Sequence, residues 1–272
     1  MATRRQLVTD RQLPRRSFLA AGALAFAAAC GSSHGRDALS GATSTSKPAT
    51  TTAPPATTAA ATTTTEPGGP ARFVDHGPDT AKRVALTFHT NGDLAVAQQL
   101  LDVLAAHHTV MTSFVVGNWL DANPTWGKKL VDAGHEIANH TYTHPSFLTL
   151  SRTAMLDEVV KCRDVLTRYT GTPGTLFRPS GTDDGTVEPP AVVQSVAGEA
   201  GYPIVLGFDV DPLDYDDPGA DVVVQRTLAA VHPGAIVSLH FGHAGTVAAM
   251  PAILDGLASR GLQTVTASKL LG

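Results

Sequence analysis

From residue 82 onward, the sequence alternates short runs of β-branched residues with longer amphipathic stretches. The short runs predict seven strands, at residues 84–88, 110–116, 136–138, 175–177, 204–208, 235–240 and 263–266. The longer stretches predict six helices, at residues 94–106, 125–133, 154–169, 190–200, 220–231 and 247–259. This alternation indicates an α/β fold of parallel βαβ units, in an open sheet or a closed barrel. Because the chain is short for an eight-stranded barrel, we expect a smaller and irregular one.

Polar residues that could carry chemistry follow the predicted strands, at the points where the strands end. They are His89, His140, Arg178, Asp211, Asp214 and His240. The carboxyl ends of parallel strands meet at one face of the sheet, where active sites are built in α/β folds. We therefore expect these side chains to converge on a single site.

The first 30 residues have the features of a targeting segment. Five arginines precede an apolar run, residues 18–29, that is too short to span a bilayer. "PRRSFLA" resembles a twin-arginine export signal, and "AFAAACG" resembles a lipobox with Cys30 as the lipidated residue. We expect an exported lipoprotein on the outer face of the cell membrane, held only by a lipid anchor at Cys30. An ordinary secretory signal, giving a secreted protein, is the alternative.

Residues 31–70 are dominated by Thr, Ala, Ser and Pro and show no hydrophobic periodicity. Such a segment buries too little apolar area to fold, so we expect a disordered linker. One folded domain then remains, at residues 71–272. The formal net charge of −4 gives no reason to expect nucleic acid as a partner. The two cysteines, Cys30 and Cys162, lie in very different contexts, which argues against a disulfide framework.

The stretch "GHEIANHTYTHP", residues 134–145, carries the strongest chemical signal. His140 and His144 are four positions apart, which is one turn of a helix, so both imidazoles can face one ion. Pro145 then interrupts the local helix. We expect this histidine pair to bind a divalent metal.

Over residues 82–272 the chain resembles the polysaccharide deacetylase family, also called carbohydrate esterase family four. Its five motifs appear in order, and the first is the loop "TFHTNGD". The second, "NHTYTH", is a full match to the two-histidine metal motif. In "FRPSG", Arg178 takes the position of the arginine that orients the general base. In "DVDPLDY", Asp214 matches the aspartate paired with the catalytic histidine, and in "IVSLHFGH", His240 matches the general acid.

The resemblance implies a distorted seven-stranded (β/α) barrel and a divalent metal, often zinc, held by an Asp-His-His set. It also implies hydrolysis of the N-acetyl groups of amino sugars in a cell-envelope glycan, such as peptidoglycan or a chitin-like polymer. In this chemistry the metal activates water, a base removes the proton from that water, and an acid protonates the departing amine. We expect a monomer that acts on such a glycan.

The first motif departs from the family pattern, which is Thr-Phe-Asp-Asp-Gly. In the family the first aspartate is the base and the second is a metal ligand. Here His89 takes the first position, and the loop is one residue longer before the glycine. We predict that Asp93 is recruited as third metal ligand or as base. The alternative is that Asp93 only caps the helix that follows, which is a favoured place for aspartate.

His89 could fill the missing role in two ways. Arg178 nearby would disfavour an imidazolium, so a neutral His89 could accept a proton as the base. His89 could instead be a third nitrogen ligand in a three-histidine zinc site. The sequence leaves both possibilities open.

The leading hypothesis is a metal-dependent polysaccharide N-deacetylase. Its predicted catalytic residues are His89, Asp93, Arg178, Asp214 and His240, and its predicted metal ligands are Asp93, His140 and His144. The competing hypothesis is a wall-anchored pseudoenzyme that binds glycan without turnover, since both first-motif aspartates are lost. The retained arginine and acid pair argue against it. A third hypothesis keeps the metal chemistry but acts on an amide that is not part of a sugar.

Overall fold

The computed structural model describes residues 68–80, 82–182 and 184–272. The predicted targeting segment, its lipidation site Cys30 and most of the predicted linker lie outside these residues. Among the described residues the first strand begins at Arg72, close to the predicted start of the domain. In this part of the chain, no helix is both long enough and apolar enough to cross a membrane.

Eight strands form one sheet in which every neighbouring pair is parallel. They are β1 (Arg72–Val74), β2 (Arg83–Thr90), β3 (Thr112–Val115), β4 (Glu136–Asn139), β5 (Leu176–Phe177), β6 (Ile204–Leu206), β7 (Ile236–His240) and β8 (Gln263–Val265). Their order is β1-β6-β5-β4-β3-β2-β7, and β8 pairs with the first half of β2. The seven predicted strands are all present, and β1 is an eighth that the sequence did not predict.

The sheet curls until the segment after β6 reaches β7. Val210 forms a bridge with Val237, and the amide of Ser238 donates to the carbonyl of Val210 at 2.9 Å. Gly207 N donates to the carbonyl of Val74 at 2.7 Å, which ties β1 to the same segment. The predicted distorted barrel is therefore confirmed, and the Val210–Val237 bridge with its neighbouring backbone hydrogen bonds joins the segment after β6 to β7.

Helices connect the strands on the outside of the sheet. They are α1 (Leu94–Ala106), α2 (Gly117–Ala122), α3 (Thr125–Asp132), α4 (Arg152–Thr170), α5 (Ala191–Glu199), α6 (Ala220–Ala230), α7 (Ala244–Ser259) and α8 (Ala267–Leu271). The six predicted helices match six of these to within three residues at each end. The short helices α2 and α8 were not predicted.

The burial pattern of β2 shows how the sequence aims side chains at the site. Val84, Leu86 and Phe88 are buried with residues of α1 and α7, on the outer face of the sheet. Ala85 lies in a different cluster, whose strand residues come from β2 to β8 and face the barrel interior. Because side chains alternate between the faces of a strand, His89 must face the interior, at the carboxyl end of β2.

Candidate active site

Three histidines meet at the carboxyl ends of the strands. His89 is the residue before the last of β2, while His140 and His144 lie in the loop after β4. One ring nitrogen from each comes within 4.8 Å of the other two. The ring centroids of His89 and His140 are 4.2 Å apart, and those of His140 and His144 are 4.8 Å apart. The predicted convergence of these side chains is therefore observed.

The loop that carries His140 and His144 is not a turn of helix, so that part of the sequence argument was wrong. No helix covers residues 140–146. Thr141 has φ 69° and His144 has φ 58°, both in the left-handed region that non-glycine residues rarely adopt. The two imidazoles meet because this irregular loop folds back, and not because four positions make one helical turn.

The nitrogens of His140 are arranged as those of a metal ligand usually are. Nδ1 lies 2.9 Å from the carbonyl of Arg178, which fixes Nδ1 as the protonated nitrogen. Nε2 is buried and, among the described residues, has no hydrogen-bond partner. Burial, with the neighbouring His144 as second cause, holds the pKa of His140 well below its ordinary value. A neutral imidazole with an unused, buried lone pair and two imidazoles beside it fits a transition metal.

Arg178 is fully buried and holds three strands together. Its Nε donates to the carbonyl of Leu206 at 3.0 Å, its Nη2 to the carbonyl of Gly207 at 2.8 Å, and its Nη1 to the hydroxyl of Thr87 at 2.9 Å. Its guanidinium stacks over the ring of Phe114, at 4.1 Å. Burial lowers the pKa of Arg178 to about 9, so it remains a cation and a pure donor at neutral pH.

The ring of His89 lies between His240 and the pair His140 and His144, which we call the metal-type histidines. The ring centroids of His89 and His240 are 4.4 Å apart. Its Nε2 is 3.2 Å from Nη1 of Arg178 and 3.4 Å from the hydroxyl of Ser238. Because a guanidinium only donates, Nε2 must accept, and Nδ1 carries the proton. Burial first, and then the charges of its neighbours, hold the pKa of His89 well below its ordinary value. His89 is therefore neutral, as predicted, but its lone pair is already directed at Arg178.

Asp93 does not join the histidine cluster. Its Oδ1 accepts from the amides of Ala95 at 2.8 Å and Val96 at 3.0 Å, which makes it the N-cap of α1. The three-residue metal cluster is formed by histidines alone. The extra loop residue thus leads into the helix cap. The geometry supports the alternative role that the sequence allowed for Asp93, and not the recruitment of its carboxylate to the metal.

Across the site from His140 and His144, Asp214 and His240 form the predicted acid pair. Asp214 is buried, and its Oδ1 lies 2.7 Å from Nδ1 of His240. Its Oδ2 accepts from the amide of His240 at 2.9 Å and from the hydroxyl of Thr246 at 2.6 Å. Three hydrogen bonds therefore fix this carboxylate, and Nδ1–H of His240 points at it. Thr246 was not among the predicted site residues, although its place in the first turn of α7, six positions after His240, is a usable signal.

A cavity of about 310 Å³ opens between His89 and His144 on one side and His240 on the other. Its lining comprises His89, His144, Gly181, Thr182, Phe208, Asp211, Tyr215, Ser238 and His240. Among the described residues that line it, only Asp211 carries a carboxylate, and burial raises the pKa of Asp211. Its Oδ1 accepts from the amide of Leu213 at 2.8 Å. The ring of Tyr215 packs edge-on against His240 at 5.0 Å, at the mouth of the cavity.

Comparison with known proteins agrees with this geometry. The family model for polysaccharide deacetylase matches residues 76–205. The peptidoglycan-N-acetylglucosamine deacetylase PgdA of Listeria monocytogenes is 32% identical over 194 residues, which cover 71% of this chain and 40% of that protein. This chain thus spans well under half of the Listeria protein.

A shorter relative is covered almost completely. A peptidoglycan-N-acetylglucosamine deacetylase of Bacillus cereus is 33% identical over 198 residues, which cover 71% of this chain and 90% of the relative. Among solved structures, BA3943 of Bacillus anthracis, a CE4 family pseudoenzyme, is 28% identical with a TM-score of 0.67, over 74% of this chain and 69% of that one. A mutant of BA3943 with restored enzymatic activity matches at 29% identity and a TM-score of 0.68.

The similarity covers nearly the whole length of the Bacillus cereus relative, and the histidine pair His140 and His144, the buried Arg178 and the Asp214–His240 pair lie together at one site. This chain belongs to the polysaccharide deacetylase family.

Proposed function

We propose that this chain is a metal-dependent N-deacetylase that removes acetyl groups from N-acetylated amino sugars of a cell-envelope glycan. The observation that carries the proposal is the placement of His240 and its fixed partner Asp214 across one cavity from His89 and His144. The similarity to peptidoglycan-N-acetylglucosamine deacetylases supports peptidoglycan as the substrate.

Within this proposal, His140 and His144 hold a divalent ion, and we name zinc because imidazole ligands suit it. A bound ion of this kind polarises the acetamide carbonyl and lowers the pKa of a bound water. The nearest candidate for a third protein ligand is His89. Its lone pair can serve an ion only if the 3.2 Å contact with Arg178 is given up.

His240 supplies the proton for the departing amine. Because its Nδ1–H is held by Asp214, Nε2 is the nitrogen left to face the substrate. Donation from a protonated Nε2 leaves a neutral imidazole whose orientation does not change. Asp214 therefore acts by fixing the tautomer and stabilising the cation, in the way a carboxylate serves a catalytic histidine in hydrolases.

The step in which a base removes the proton from water is less well supported by the residues present than proton donation by His240. His89 would accept the proton at Nε2, where it must displace the contact from Arg178. Its lowered pKa also makes it a weak base, because efficient bases have a pKa near the working pH. We expect turnover to be limited by this step.

A different observation, the composition of the histidine cluster, favours a second candidate function, a glycan-binding pseudoenzyme. Among the described residues, no carboxylate joins the histidine cluster, and Asp93 is engaged by the cap of α1. BA3943, a structural neighbour, is itself a pseudoenzyme. In this alternative, the cavity binds N-acetylated sugar against Phe208 and Tyr215 of its lining, without hydrolysis.

The decisive experiment measures acetate release and binding on the same samples. The full chain is incubated with zinc or cobalt and with N-acetylglucosamine oligomers or peptidoglycan fragments, and calorimetry follows binding. Acetate release that His240→Ala abolishes supports the deacetylase. Binding without acetate supports the pseudoenzyme. A folded protein that neither binds nor hydrolyses these glycans contradicts both.

Metal binding has its own test. His140→Ala should weaken zinc binding by more than about 100-fold, since even partners of a ligand contribute 10–100-fold. His76→Ala is the control, because His76 is exposed and its Nδ1 bonds only to its neighbour Asp75. Equal zinc affinities in the wild type and His140→Ala would remove the proposed site.

We also propose that the protein is exported and anchored through Cys30, on the evidence of the targeting segment and lipobox alone. Cys30→Ser should move the protein from the membrane fraction into the medium. Wild type recovered from the medium without lipid would contradict the anchor and leave only secretion.

A further inference from the structure

The loop between β4 and α4 holds both metal-type histidines in a conformation that it would not adopt alone. Thr141 and His144 both have positive φ. Residues in such conformations persist only where surrounding contacts fix them. The loop is irregular, so its backbone groups cannot be satisfied by helix or sheet and need other partners.

A carboxylate from α4 is the partner of two of those backbone amides. Oε2 of Glu158 accepts from the amides of Tyr142 at 2.9 Å and Thr143 at 2.7 Å. Its Oε1 accepts from the hydroxyl of Thr143 at 2.8 Å. Both oxygens are therefore directed at the two residues just before His144, in hydrogen bonds that the negative charge strengthens.

The other face of the loop is held by backbone groups. The amides of Gly117 and Asn118, at the start of α2, donate to the carbonyls of Thr141 at 3.0 Å and Tyr142 at 2.8 Å. Gly117 leaves no room for a side chain, because an added Cβ would lie 2.7 Å from the ring of Tyr142. On this face the contacts are main-chain ones, whereas Glu158 supports the two residues before His144 through a side chain that a substitution can remove.

We propose that Glu158 is a positioning residue for the metal site, which fixes the separation of His140 and His144 before an ion arrives. Glu158 bonds to the two residues between Thr141 and His144 without being a ligand itself. Partners that orient ligands are worth about 10–100-fold in metal affinity. The inference rests on the metal binding proposed above and adds to it the residue that shapes the site.

The test uses three substitutions in the full chain. Glu158→Ala removes both acceptor oxygens and with them all three hydrogen bonds. Glu158→Gln keeps an oxygen for the two amides and presents an NH₂ group that the hydroxyl of Thr143 can accept from. Asp157→Ala is the matched control, because Asp157 is an exposed acidic residue next to Glu158 on α4. Zinc affinity is measured by competition with a chelator, and the absorption spectrum of bound cobalt reports the ligand geometry.

We expect Glu158→Ala to lose about 10–100-fold in zinc affinity and to change the cobalt spectrum. Glu158→Gln should stay within about fivefold of wild type, and Asp157→Ala should match it. Circular dichroism checks folding, and if Glu158→Ala does not fold, the milder Thr143→Ala, which removes one of the three bonds, replaces it with an expected loss of a few-fold.

Two negative outcomes are distinct. Wild-type zinc affinity and an unchanged cobalt spectrum in folded Glu158→Ala, or in Thr143→Ala where that variant replaces it, would overturn this inference and leave the metal site standing. Absence of zinc and cobalt binding by the wild type would overturn the proposed metal site and this inference together.

Discussion

The β7 side and the β2 side of the cavity differ in how their key groups are held. On the β7 side, the buried carboxylate of Asp214 accepts three hydrogen bonds, two of them from His240. On the β2 side, His89 has replaced a carboxylate, and its Nε2 is shared by Arg178 at 3.2 Å and Ser238 at 3.4 Å. The hydrogen bonds of Asp214 are thus short, at 2.6–2.9 Å, whereas the contacts of His89 are longer, at 3.2 and 3.4 Å.

The comparison shows that the Asp214–His240 pair has a structural role besides its proposed catalytic one, and the two roles must be measured separately. Asp214 follows β6 and His240 ends β7, so their hydrogen bonds reinforce the place where the segment after β6 meets β7 through the Val210–Val237 bridge. A buried carboxylate with three donors is also costly to lose, whatever the site does. The presence of the acid pair alone therefore does not prove turnover, and each variant needs separate measurements of stability and rate.

The largest effect is expected from Asp214→Asn. The NH₂ group of the new asparagine would face one of the groups that now donate to Asp214, which are the amide and Nδ1 of His240 and the hydroxyl of Thr246. His240 would therefore lose its orientation. If the protein is a deacetylase, the rate of acetate release should fall by roughly 10²–10⁴, the usual contribution of general acid catalysis. The free energy of unfolding should fall by about 1–3 kcal/mol.

Asp217→Asn is the matched control for that substitution. Asp217 pairs with His243 at 2.9 Å, three positions after each member of the acid pair, and its side chain is mostly exposed. Its loss should leave the rate of acetate release within about threefold, because exposed ion pairs contribute little. Equal losses of rate in the two variants would show that the acid pair has no special role.

A smaller change, in the opposite direction, is expected from His89→Asp. A carboxylate has lone pairs to spare, so it could accept from Arg178 and still take a proton from water. Acetate release should rise at least about tenfold. His89→Asn has a similar size but is not basic, and serves as the control. If His89→Asp is slower than wild type, His89 is itself a competent base and the two sides are better matched than the geometry indicates.

The third prediction concerns the altered loop. Asp93→Ala should lower the free energy of unfolding by about 0.5–2 kcal/mol, because it removes the acceptor for two amides at the start of α1. The rate per folded molecule should stay the same. Asp102→Ala, on the exposed face of the same helix, is the comparison. A loss of acetate release with unchanged stability would return Asp93 to the reaction.

The smallest effect is expected from Ser238→Ala. The hydroxyl lies 3.4 Å from Nε2 of His89, which is too long for a strong hydrogen bond. The rate of acetate release and the zinc affinity should each change by less than about threefold, a free energy below 1 kcal/mol. A larger loss of rate would show that Ser238, rather than Arg178, directs the proton on His89.

Much of the fold followed from patterns that extend over many residues. The helix at Leu94–Ala106 was predicted with its observed limits, because apolar residues recur on one face and an aspartate precedes it. Strand β1 was not predicted, because three residues are too few to show alternation. Helices α2 and α8 have six and five residues, and their conformation depends on the surfaces they pack against. Short elements are fixed by tertiary contacts more than by local preference.

The site divides in the same way. Motif spacing located His140, His144, Arg178, Asp214 and His240, because His240 ends a strand whose position was clear and the others follow such strands. It could not locate the loop conformation around His140, since that depends on Glu158, which lies on another element. It also could not choose between cap and ligand for Asp93. Both roles suit an aspartate before a helix, and only the path of the longer loop decides between them.

The pairing of β2 has a consequence for how the chain folds. On one edge, the first half of β2 lies beside β8 and the second half beside β7, so this strand needs residues from the far end of the sequence. The hydroxyl of Thr87, for example, bonds to a carbonyl 150 positions later. Contacts of such long range close slowly, because the entropy of loop closure is lost before the contact forms. A chain that stops before β7 leaves the edge of β2 that β7 and β8 cover without partners, and an uncovered strand edge invites pairing with other chains. The pairing that sets His89 beside His240 is therefore completed only when the last quarter of the polypeptide is in place.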